Sequence, residues 1–314
     1  MIELKGKIGK YKILKKLGSG GFGTVYLAED TFLKTLRALK IPHGSSSQSE
    51  KILQESILQS KLLDHPNIVK LLTVDIVDRT VIMVMEYING TDLEKLIDEQ
   101  DHLTINTALK YFKQTLSALD FAHKYKVIHR DIRPSNILIN ENDNVKIADF
   151  GTSKLLNKRQ YATTKIGSPP YMAPEQFEGR AVFASDIYSA GCLFYEMVTG
   201  FPPIIMANPM EIYKRAKSGN IISLSKKIPS ISSDLSWIIM KTLSPDLSER
   251  YKKAIDVIED LNKMEKKGND NSQEIQNIQA RIKARSSRTD YVCWNCRKTM
   301  TRKTKNCPYC GAEQ

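Results

Sequence analysis

The segment "HRDIRPSN" at residues 129–136 places an aspartate and an asparagine five positions apart. A carboxylate such as that of Asp131 can accept the proton of an attacking hydroxyl, and an amide oxygen such as that of Asn136 can bind a hard cation. Between them, Arg133 carries a fixed positive charge on a planar fork of donors that suits phosphate oxygens. These residue types favour phosphoryl transfer, provided that the rest of the chain supplies a place for the phosphates.

A glycine cluster near the N-terminus, "GSGGFGTV" at 18–25, could supply that place. Glycines have no side chain and tolerate positive φ, so such a loop can lay its backbone N–H groups on phosphates. A strand-like segment rather than a helix follows, which excludes a dinucleotide-binding fingerprint. Lys40 on the next predicted strand adds a cation, and Glu55 on the following predicted helix is the natural residue to hold it.

The spacing of apolar residues divides the chain into parts that must position these groups. Up to residue 88, alternating apolar and polar residues predict five strands, and helical spacing from Ile52 to Leu63 predicts one helix. Beyond Gly90 the spacing is mainly helical, with short strand-like pieces after the opening motif. The sequence therefore predicts a small sheet lobe followed by a larger helical lobe.

Taken together, these segments resemble the eukaryotic-type (Hanks-type) serine/threonine protein kinases over about residues 11–262. The resemblance rests on an ordered series of motifs. They are "GSGGFGTV", "LRALK", a helix glutamate before "DHPN", "HRDIRPSN", "ADFG", "YMAPE", "SDIYSAGCLFYE" and the arginine of "SPDLSER". The series implies an α+β, bilobal protein-kinase-like fold, with a small antiparallel sheet lobe that carries one helix and a larger, mainly helical lobe.

The resemblance also implies domain limits and an activity. The kinase domain would cover 1–265, with the N-lobe at about 8–88 and the C-lobe at about 89–265. The chain would be a protein serine/threonine kinase that transfers the γ-phosphate of Mg-ATP to hydroxyls of protein substrates. The alternative is a pseudokinase or scaffold whose C-terminal segment recruits protein or nucleic-acid partners.

Roles at the phosphates follow from the same resemblance. The ATP phosphates would be covered by Gly18, Gly20 and Gly23. Lys40 would contact the α and β phosphates, and Glu55 would orient Lys40. Glu55 lies one residue further from the following His-Pro pair than is usual in the family, so an extra residue is expected in the loop after the helix. The alternative is that Glu55 is a surface glutamate.

At the reacting groups, the resemblance implies that Asn136 and Asp149 hold two Mg²⁺ ions and that Asp131 accepts or orients the hydroxyl proton. Arg133 stands where the family usually has a lysine that bridges the catalytic aspartate and the γ-phosphate. Arginine keeps the positive charge, so we expect transfer to survive. Pseudokinases generally lack at least one of the lysine, the two aspartates and the asparagine, and all four are present here.

The adenine pocket can be assigned in the same way. Leu17, Val25, Ala38 and Leu138 would sandwich the ring, with Met85 as the gatekeeper. Glu86 and Ile88 would offer backbone hydrogen bonds, and Asp92 would reach the ribose. Each apolar residue in this set could instead be ordinary core, and for Leu138 the residue type favours neither interpretation, so the assignment rests on the resemblance.

The segment after "DFG" suggests regulation. Thr164 lies where the family carries an activating phosphothreonine, with Thr163 as the adjacent candidate. Arg130, beside the catalytic aspartate, could pair with a phosphate there. We therefore expect autophosphorylation of this loop.

The segment "CWNCRKTMTRKTKNCPYCG" contains two Cys-x2-Cys pairs separated by ten residues. Four thiolates in two close pairs suit one tetrahedral, structural Zn²⁺ ion, bound by Cys293, Cys296, Cys307 and Cys310. A redox dithiol pair or a rubredoxin-like iron site remains the alternative. The segment resembles a zinc ribbon at 290–314, after a charged linker or helix at 266–289.

Half of the net charge of +12 lies in residues 264–314, which hold 11 Lys/Arg against 5 Asp/Glu. A basic ribbon with Trp294 and Tyr309 could bind nucleic acid, although a charge run is more often a solvated surface. Docking of a protein substrate or regulator is favoured, because small zinc ribbons commonly serve as contact modules. No export signal or membrane-spanning run is visible, so a cytoplasmic protein is expected.

Overall fold

The computed structural model of the chain describes residues 6–20, 23–43, 46–62, 64–78, 80–150, 154–155, 167–267, 279–280, 291–300 and 303–314. The chain divides into two compact units, Met1–Leu261 and Asn262–Gln314. The predicted activation-loop threonines, Thr163 and Thr164, and almost all of the predicted linker at 266–289 lie outside the described residues.

The first unit begins with an antiparallel sheet. Its strands are β1 (Lys7–Ile8), β2 (Tyr11–Gly20), β3 (Gly23–Asp30), β4 (Thr35–Ile41), β5 (Leu71–Val77) and β6 (Thr80–Glu86). They lie in the order β1-β2-β3-β4-β6-β5. The alternating pattern predicts five of these strands. It misses β1, because two residues are too short to show an alternation.

Helix α1 (Ser46–Gln59) connects β4 to β5 and ends in a 3-10 turn at Ser60–Leu62. Its inner face is formed by Ile52, Glu55, Ser56 and Gln59, which are all buried, whereas Leu53 and Ile57 are exposed. The inner residues recur at the three- and four-residue intervals that place side chains on one face of a helix. This periodicity turns the carboxylate of Glu55 towards the sheet.

The rest of the first unit is mainly helical, as predicted. Its helices are α2 (Leu93–Gln100), α3 (Ile105–Lys124), α4 (Pro174–Phe177), α5 (Phe183–Thr199), α6 (Pro209–Ser218), α7 (Leu224–Lys227), α8 (Ser233–Thr242) and the first part, 254–261, of α9 (254–267). The pattern misses α4 and α7, which have four residues each and so no repeat to detect. Among the described residues, no helix combines the length and hydropathy needed to span a membrane.

Short strands connect the helical part to the site. They are β7 (Gly90–Asp92), β8 (Val127–Ile128), β9 (Ile137–Asn140), β10 (Val145–Ile147) and β11 (Lys154–Leu155). Strands β10, β9 and β7 form one small antiparallel sheet, and β11 pairs with β8. The segment between β8 and β9 carries Asp131 and Asn136 and is therefore anchored at both ends by hydrogen-bonded strands.

A buried ion pair braces the base of the helical part. Arg250 donates to the carboxylate of Glu175 at 2.7 and 3.2 Å, and its side chain is fully buried. Arg250 also donates to the carbonyl oxygens of Ala184 and Ser244, so most of its donors have acceptors. A buried pair of this kind is unfavourable to break on one side only.

The second unit contains a small two-knuckle fold at its C-terminal end. Strands β12 (Tyr291–Val292) and β13 (Thr299–Met300) form a hairpin, and a bridge joins Asn306 to Glu313. The two knuckles have matching backbone hydrogen bonds, from the N–H of Arg297 to the carbonyl of Cys293 at 2.9 Å and from that of Gly311 to Cys307 at 2.8 Å. Arg297 and Gly311, each directly after the second cysteine of its pair, both have positive φ.

Candidate active site

The nucleotide end of the candidate site is built around Lys40 on β4. Its Nζ lies 2.8 and 2.7 Å from the two carboxylate oxygens of Glu55 and 2.8 Å from Oδ1 of Asp149. The side chains of Lys40 and Glu55 are buried, whereas that of Asp149 is 43% exposed. The structure thus brings together three predicted site residues, and Glu55 is not a surface glutamate.

These three groups shift one another's protonation. Burial alone would lower the pKa of Lys40, but the neighbouring carboxylates of Glu55 and Asp149 outweigh it and raise the pKa. Burial raises the pKa of Glu55 to about 7 against the lowering effect of Lys40, and Asp149 adds to the rise. One ammonium, that of Lys40, therefore contacts two carboxylates, those of Glu55 and Asp149. When both carboxylates are ionised, the three groups carry a net negative charge that a cation could neutralise.

Asp149 occupies an unusual backbone conformation. Its φ is +60°, in the left-handed region that non-glycine residues seldom adopt. Such positions are concentrated at functional sites, where the surrounding structure fixes them. Here the conformation occurs two residues after the end of β10, at the position where the carboxylate contacts Lys40.

The second half of the site surrounds Asp131. Oδ1 of Asp131 accepts from the backbone N–H of Ser168 at 3.0 Å and from its hydroxyl at 2.9 Å. Asn136 donates its amide to the carbonyl oxygen of Asp131 at 2.8 Å and to its Oδ2 at 3.2 Å. Because the amide nitrogen of Asn136 is committed in this way, its carbonyl oxygen is the atom suited to a cation.

Arg133 contacts both this centre and helix α2. Nη1 of Arg133 lies 3.2 Å from the hydroxyl oxygen of Ser168, and Nη2 lies 3.2 Å from Oε1 of Glu94. The sequence does not predict the contact of Ser168 with Asp131 or that of Glu94 with Arg133. For Ser168, the available signal is its place in "GSPPYMAPE", next to the predicted activation loop, and nothing in the sequence marks Glu94.

The backbone of the catalytic segment is held by Asp186 at the start of α5. Its carboxylate accepts from the N–H of His129 at 2.9 Å and from that of Arg130 at 2.8 Å. His123 contacts the same carboxylate at 2.8 Å. Burial would raise the pKa of Asp186, but His123 and these hydrogen bonds outweigh it and lower the pKa. An ionised Asp186 therefore fixes the turn that presents Asp131.

The glycine-rich segment connects β2 to β3, the strand that pairs with β4 and Lys40. A Cβ on Gly23 would lie 2.5 Å from the carbonyl oxygen of Ile41, so no side chain fits there. Gly18 is different, since a Cβ there would meet no atom within 4 Å. Gly20 pairs with Gly23 across the turn, and the two residues between them lie outside the described part of the chain.

Most of the predicted adenine pocket lies in one apolar cluster between the lobes. The cluster includes Val25, Ala38, Met85, Ile88 and Leu138. Leu17 is 40% exposed at the rim of the sheet. The side chain of Glu86 accepts from the N–H of Lys70 and from the ammonium of Lys146, whereas the contact predicted for adenine involves its backbone.

Asp92 has a structural contact of its own. Its Oδ1 accepts from the N–H of Lys95 at 2.9 Å and caps α2, and its Oδ2 lies 2.8 Å from the Lys95 ammonium. A carboxylate at a helix N-terminus is stabilising because it satisfies a backbone donor that lacks a partner within the helix. The carboxylate of Asp92 that is predicted to contact the ribose is therefore the same one that caps α2.

The four cysteines of the second unit are brought together as predicted from their spacing. The Sγ atoms of Cys293, Cys296, Cys307 and Cys310 all lie within 4.8 Å of one another. The cross-pair distances are 3.6 Å for Cys293 and Cys310 and 3.7 Å for Cys296 and Cys307. Sulfurs in a tetrahedron with metal–sulfur bonds of about 2.3 Å are roughly 3.8 Å apart, so the donor set fits a metal ion.

Comparison with known families agrees with this geometry. The model of the protein kinase domain family matches residues 11–265, and the chain belongs to the protein kinase family. The match covers strands β2 to β6 of the sheet, the catalytic segment and almost all of the helical lobe.

Among similar proteins, serine/threonine-protein kinase PrkC of Bacillus subtilis is 32% identical over 259 residues, or 81% of this chain and 40% of that protein. The probable serine/threonine-protein kinase PknB of Lactococcus lactis is 32% identical over 83% of this chain and 43% of its own length. The carbon catabolite-derepressing protein kinase of Saccharomyces cerevisiae is 36% identical over 68% of this chain and 34% of its own length. The chain thus spans about two fifths of the length of the bacterial relatives.

Proposed function

We propose that this chain is a protein serine/threonine kinase that transfers the γ-phosphate of Mg-ATP to serine or threonine hydroxyls of proteins. The observation that carries the proposal is the convergence of Lys40, Glu55 and Asp149 on one side and Asp131 and Asn136 on the other. The names of the similar proteins support the same reaction.

Each residue would have a defined task. Lys40, held by Glu55, would bind the α and β phosphates, and Gly18, Gly20 and Gly23 would cover them with backbone N–H groups. Magnesium would supply positive charge between the β and γ phosphates, and the oxygens of Asn136 and Asp149 are the groups to hold it.

Asp131 would orient the acceptor hydroxyl and take its proton as transfer proceeds. Ser168 holds one oxygen of this carboxylate with two hydrogen bonds, which fixes the direction of the other. Arg133 would neutralise charge on the transferred group.

The test is transfer of radiolabel from γ-labelled ATP to a generic basic protein in the presence of Mg²⁺. We expect transfer by the wild type and a loss of at least about 100-fold in Lys40→Met. The rival pseudokinase interpretation predicts no transfer to any protein, including the chain itself, even when Mg-ATP binds.

We further propose autophosphorylation at Thr164, with Thr163 as the neighbouring candidate. Support comes from the position of both residues between "DFG" and "APE" and from the buried Arg130 beside Asp131. Mass spectrometry of active protein should find phosphate on one of these threonines. Its absence from both in fully active protein would contradict the proposal.

For the second unit we propose a structural Zn²⁺ ion in a ribbon at 290–314, after a linker at 266–289 and a kinase domain at 1–265. The four-thiolate donor set and its spacing favour zinc over a redox pair. Metal analysis of purified protein should give about one zinc per chain. One iron per chain, or none, would contradict this assignment. The cytoplasmic location expected from the sequence stays a prediction.

The ribbon is proposed to dock a protein. Val292, Trp294 and Tyr309 are each more than half exposed, which suits an apolar contact. Four thiolates around one Zn²⁺ carry a net charge of about −2, which offsets nearby lysines and weakens the case for nucleic acid. A salt-sensitive band shift with nucleic acid that is lost in Trp294→Ala would instead favour nucleic acid over protein as the ligand of the ribbon.

A further inference from the structure

The side chain of Arg133 spans two elements of the helical lobe. One end of its fork, Nη1, meets the hydroxyl of Ser168, and the other end, Nη2, meets Glu94 near the start of α2. Ser168 in turn donates to Oδ1 of Asp131. A continuous series of contacts therefore runs from the exposed Glu94 to the proposed catalytic carboxylate.

Lysine could not make both contacts in the same way. Its ammonium is a single point, whereas the guanidinium of Arg133 has separated donors in a fixed plane. When Nη2 is held by Glu94, the rigid plane of the guanidinium also fixes the direction in which Nη1 points, which is towards Ser168. The contact with Glu94 therefore explains why arginine rather than lysine suits this position.

The remaining nitrogen of Arg133 supports this interpretation. Its Nε is buried and has no hydrogen-bond partner within the described part of the chain. A buried N–H without an acceptor is unfavourable. The hydrogen bonds of the side chain given by the structure are therefore those at the two ends of the fork.

We propose that Glu94 is a positioning residue, which acts through Arg133 and Ser168 to orient Asp131. This inference rests on the proposed kinase function and adds to it a residue outside the catalytic segment. Neutralising Glu94 as glutamine removes the charge from the acceptor of Nη2 and weakens this contact, which gives the fork more freedom to rotate and loosens the contact of Nη1 with Ser168. Within the described part of the chain, neither Lys40 nor Glu55 has a hydrogen bond to this series, so the KM for ATP should change much less than kcat.

The experiment uses the full chain in steady-state kinetics with Mg-ATP and a generic basic protein as acceptor. It compares the wild type, Glu94→Gln, Arg133→Lys and the double variant. Glu99→Gln is the matched control, since Glu99 is an exposed glutamate of the same helix. Thermal unfolding of each variant shows whether the fold is kept.

We expect Glu94→Gln to lower kcat about fivefold and to leave the KM for ATP within about twofold of the wild type. In the Arg133→Lys background, the same change should lower kcat by less than about twofold, because lysine has lost the contact that Glu94 fixes. Glu99→Gln should match the wild type. A role in stability alone would not give this split between kcat and KM, or this dependence on residue 133.

Two results would overturn the inference alone: a wild-type kcat in Glu94→Gln, or equal fold losses in the two backgrounds. A wild-type chain without any transfer would instead overturn the proposed kinase function and this inference with it. The two failures are therefore distinguishable.

Discussion

Lys40 stabilises a buried negative charge as well as offering a cation to phosphate. The side chain of Glu55 is only 3% exposed, and its carboxylate oxygens meet Lys40 at 2.7 and 2.8 Å. Removing the ammonium leaves this carboxylate buried without a cation, which is unfavourable. Lys40 therefore contributes to the stability of the fold as well as to the proposed chemistry of the site.

This double role of Lys40 leads to a prediction about the free energy of unfolding. Lys40→Met should lower the free energy of unfolding by about 2 kcal/mol, because Glu55 must either stay charged or take up a proton. The double variant Lys40→Met/Glu55→Gln should recover most of that stability and remain inactive. Urea unfolding measures both. Equal stability of Lys40→Met and the wild type would contradict the role of the pair.

The glycines of the turn between β2 and β3 are not equivalent. Gly23→Ala should destabilise the sheet, because the new Cβ would lie 2.5 Å from the carbonyl oxygen of Ile41 and the backbone would have to shift. Gly18→Ala, with open space around the site, is the matched control. We expect a loss of about 1–3 kcal/mol for Gly23→Ala and less than about 0.5 kcal/mol for Gly18→Ala in urea unfolding. Equal losses would contradict the argument.

Among individual residues, the sequence could predict those that belong to one local motif. Asp131 and Asn136 are an example, and the structure places them in contact. It could not predict Glu94, because the contact with Arg133 joins positions 39 residues apart and depends on side-chain direction. It could not predict the capping role of Asp92 either, since that requires the start of α2 to be known within one residue.

Among the elements, α1 decides whether Glu55 can reach Lys40. The helix starts at Ser46, earlier than the apolar spacing from Ile52 indicates, because its first turns consist of serines and polar residues. It passes into a 3-10 turn at Ser60–Leu62 before the strand region resumes. Apolar spacing could therefore predict that a helix exists and which face is buried, but not its first residue.

Helix α5 carries a second carboxylate whose protonation responds to its surroundings. Burial raises the pKa of Glu196 to about 7, opposed by the hydrogen bond from Tyr171, while Glu94 adds to the rise and Arg133 reduces it. An acid with a raised pKa in the folded state gives stability that is fully present below its unfolded pKa. That stability is lost as the pH rises through about 7.

The predicted consequence is a change in how stability depends on pH. Glu196→Gln is neutral at every pH, so its free energy of unfolding relative to the wild type should be more favourable at pH 8 than at pH 5, by about 1–3 kcal/mol. Unfolding in urea at both values measures this difference. Glu211→Gln, at an exposed position on α6, is the control. The same relative stability of Glu196→Gln at both pH values would contradict the pKa shift.

For the whole molecule, the two units derive stability from different sources. The first unit has an apolar core with many fully buried side chains, whereas among the described residues of the ribbon the buried apolar cluster consists of Cys293, Met300 and Cys307. So few buried residues cannot stabilise a fold on their own. The free energy of metal binding would have to supply the difference.

Removing the metal should therefore unfold the ribbon and leave the first unit intact. The chain has two tryptophans, Trp237 on α8 and Trp294 in the ribbon, so a Trp237→Phe variant reports on the ribbon alone. Excess zinc chelator should change the fluorescence of Trp294, and zinc should restore it. The thermal transition of the first unit should stay within about 2 °C. An unchanged Trp294 signal after complete removal of metal would contradict a metal-dependent fold.

The family and the two-lobed architecture could be predicted from the sequence, because an ordered series of motifs constrains the whole chain. The cysteine spacing likewise predicts the cluster that the structure contains. A partner for the ribbon could not be predicted, since exposed rings and cations serve several kinds of ligand equally well.

The central claim is that the groups gathered around Lys40 and Asp131 perform phosphoryl transfer. The most direct measurement is single-turnover transfer of the γ-phosphate from Mg-ATP to protein hydroxyls by the wild type and by Asp131→Asn, with ATP affinity measured for both. We predict ATP affinities within about threefold of each other and transfer at least about 100-fold slower in Asp131→Asn. Equal rates in the two proteins, or ATP binding by a wild type that transfers no phosphate, would contradict the account.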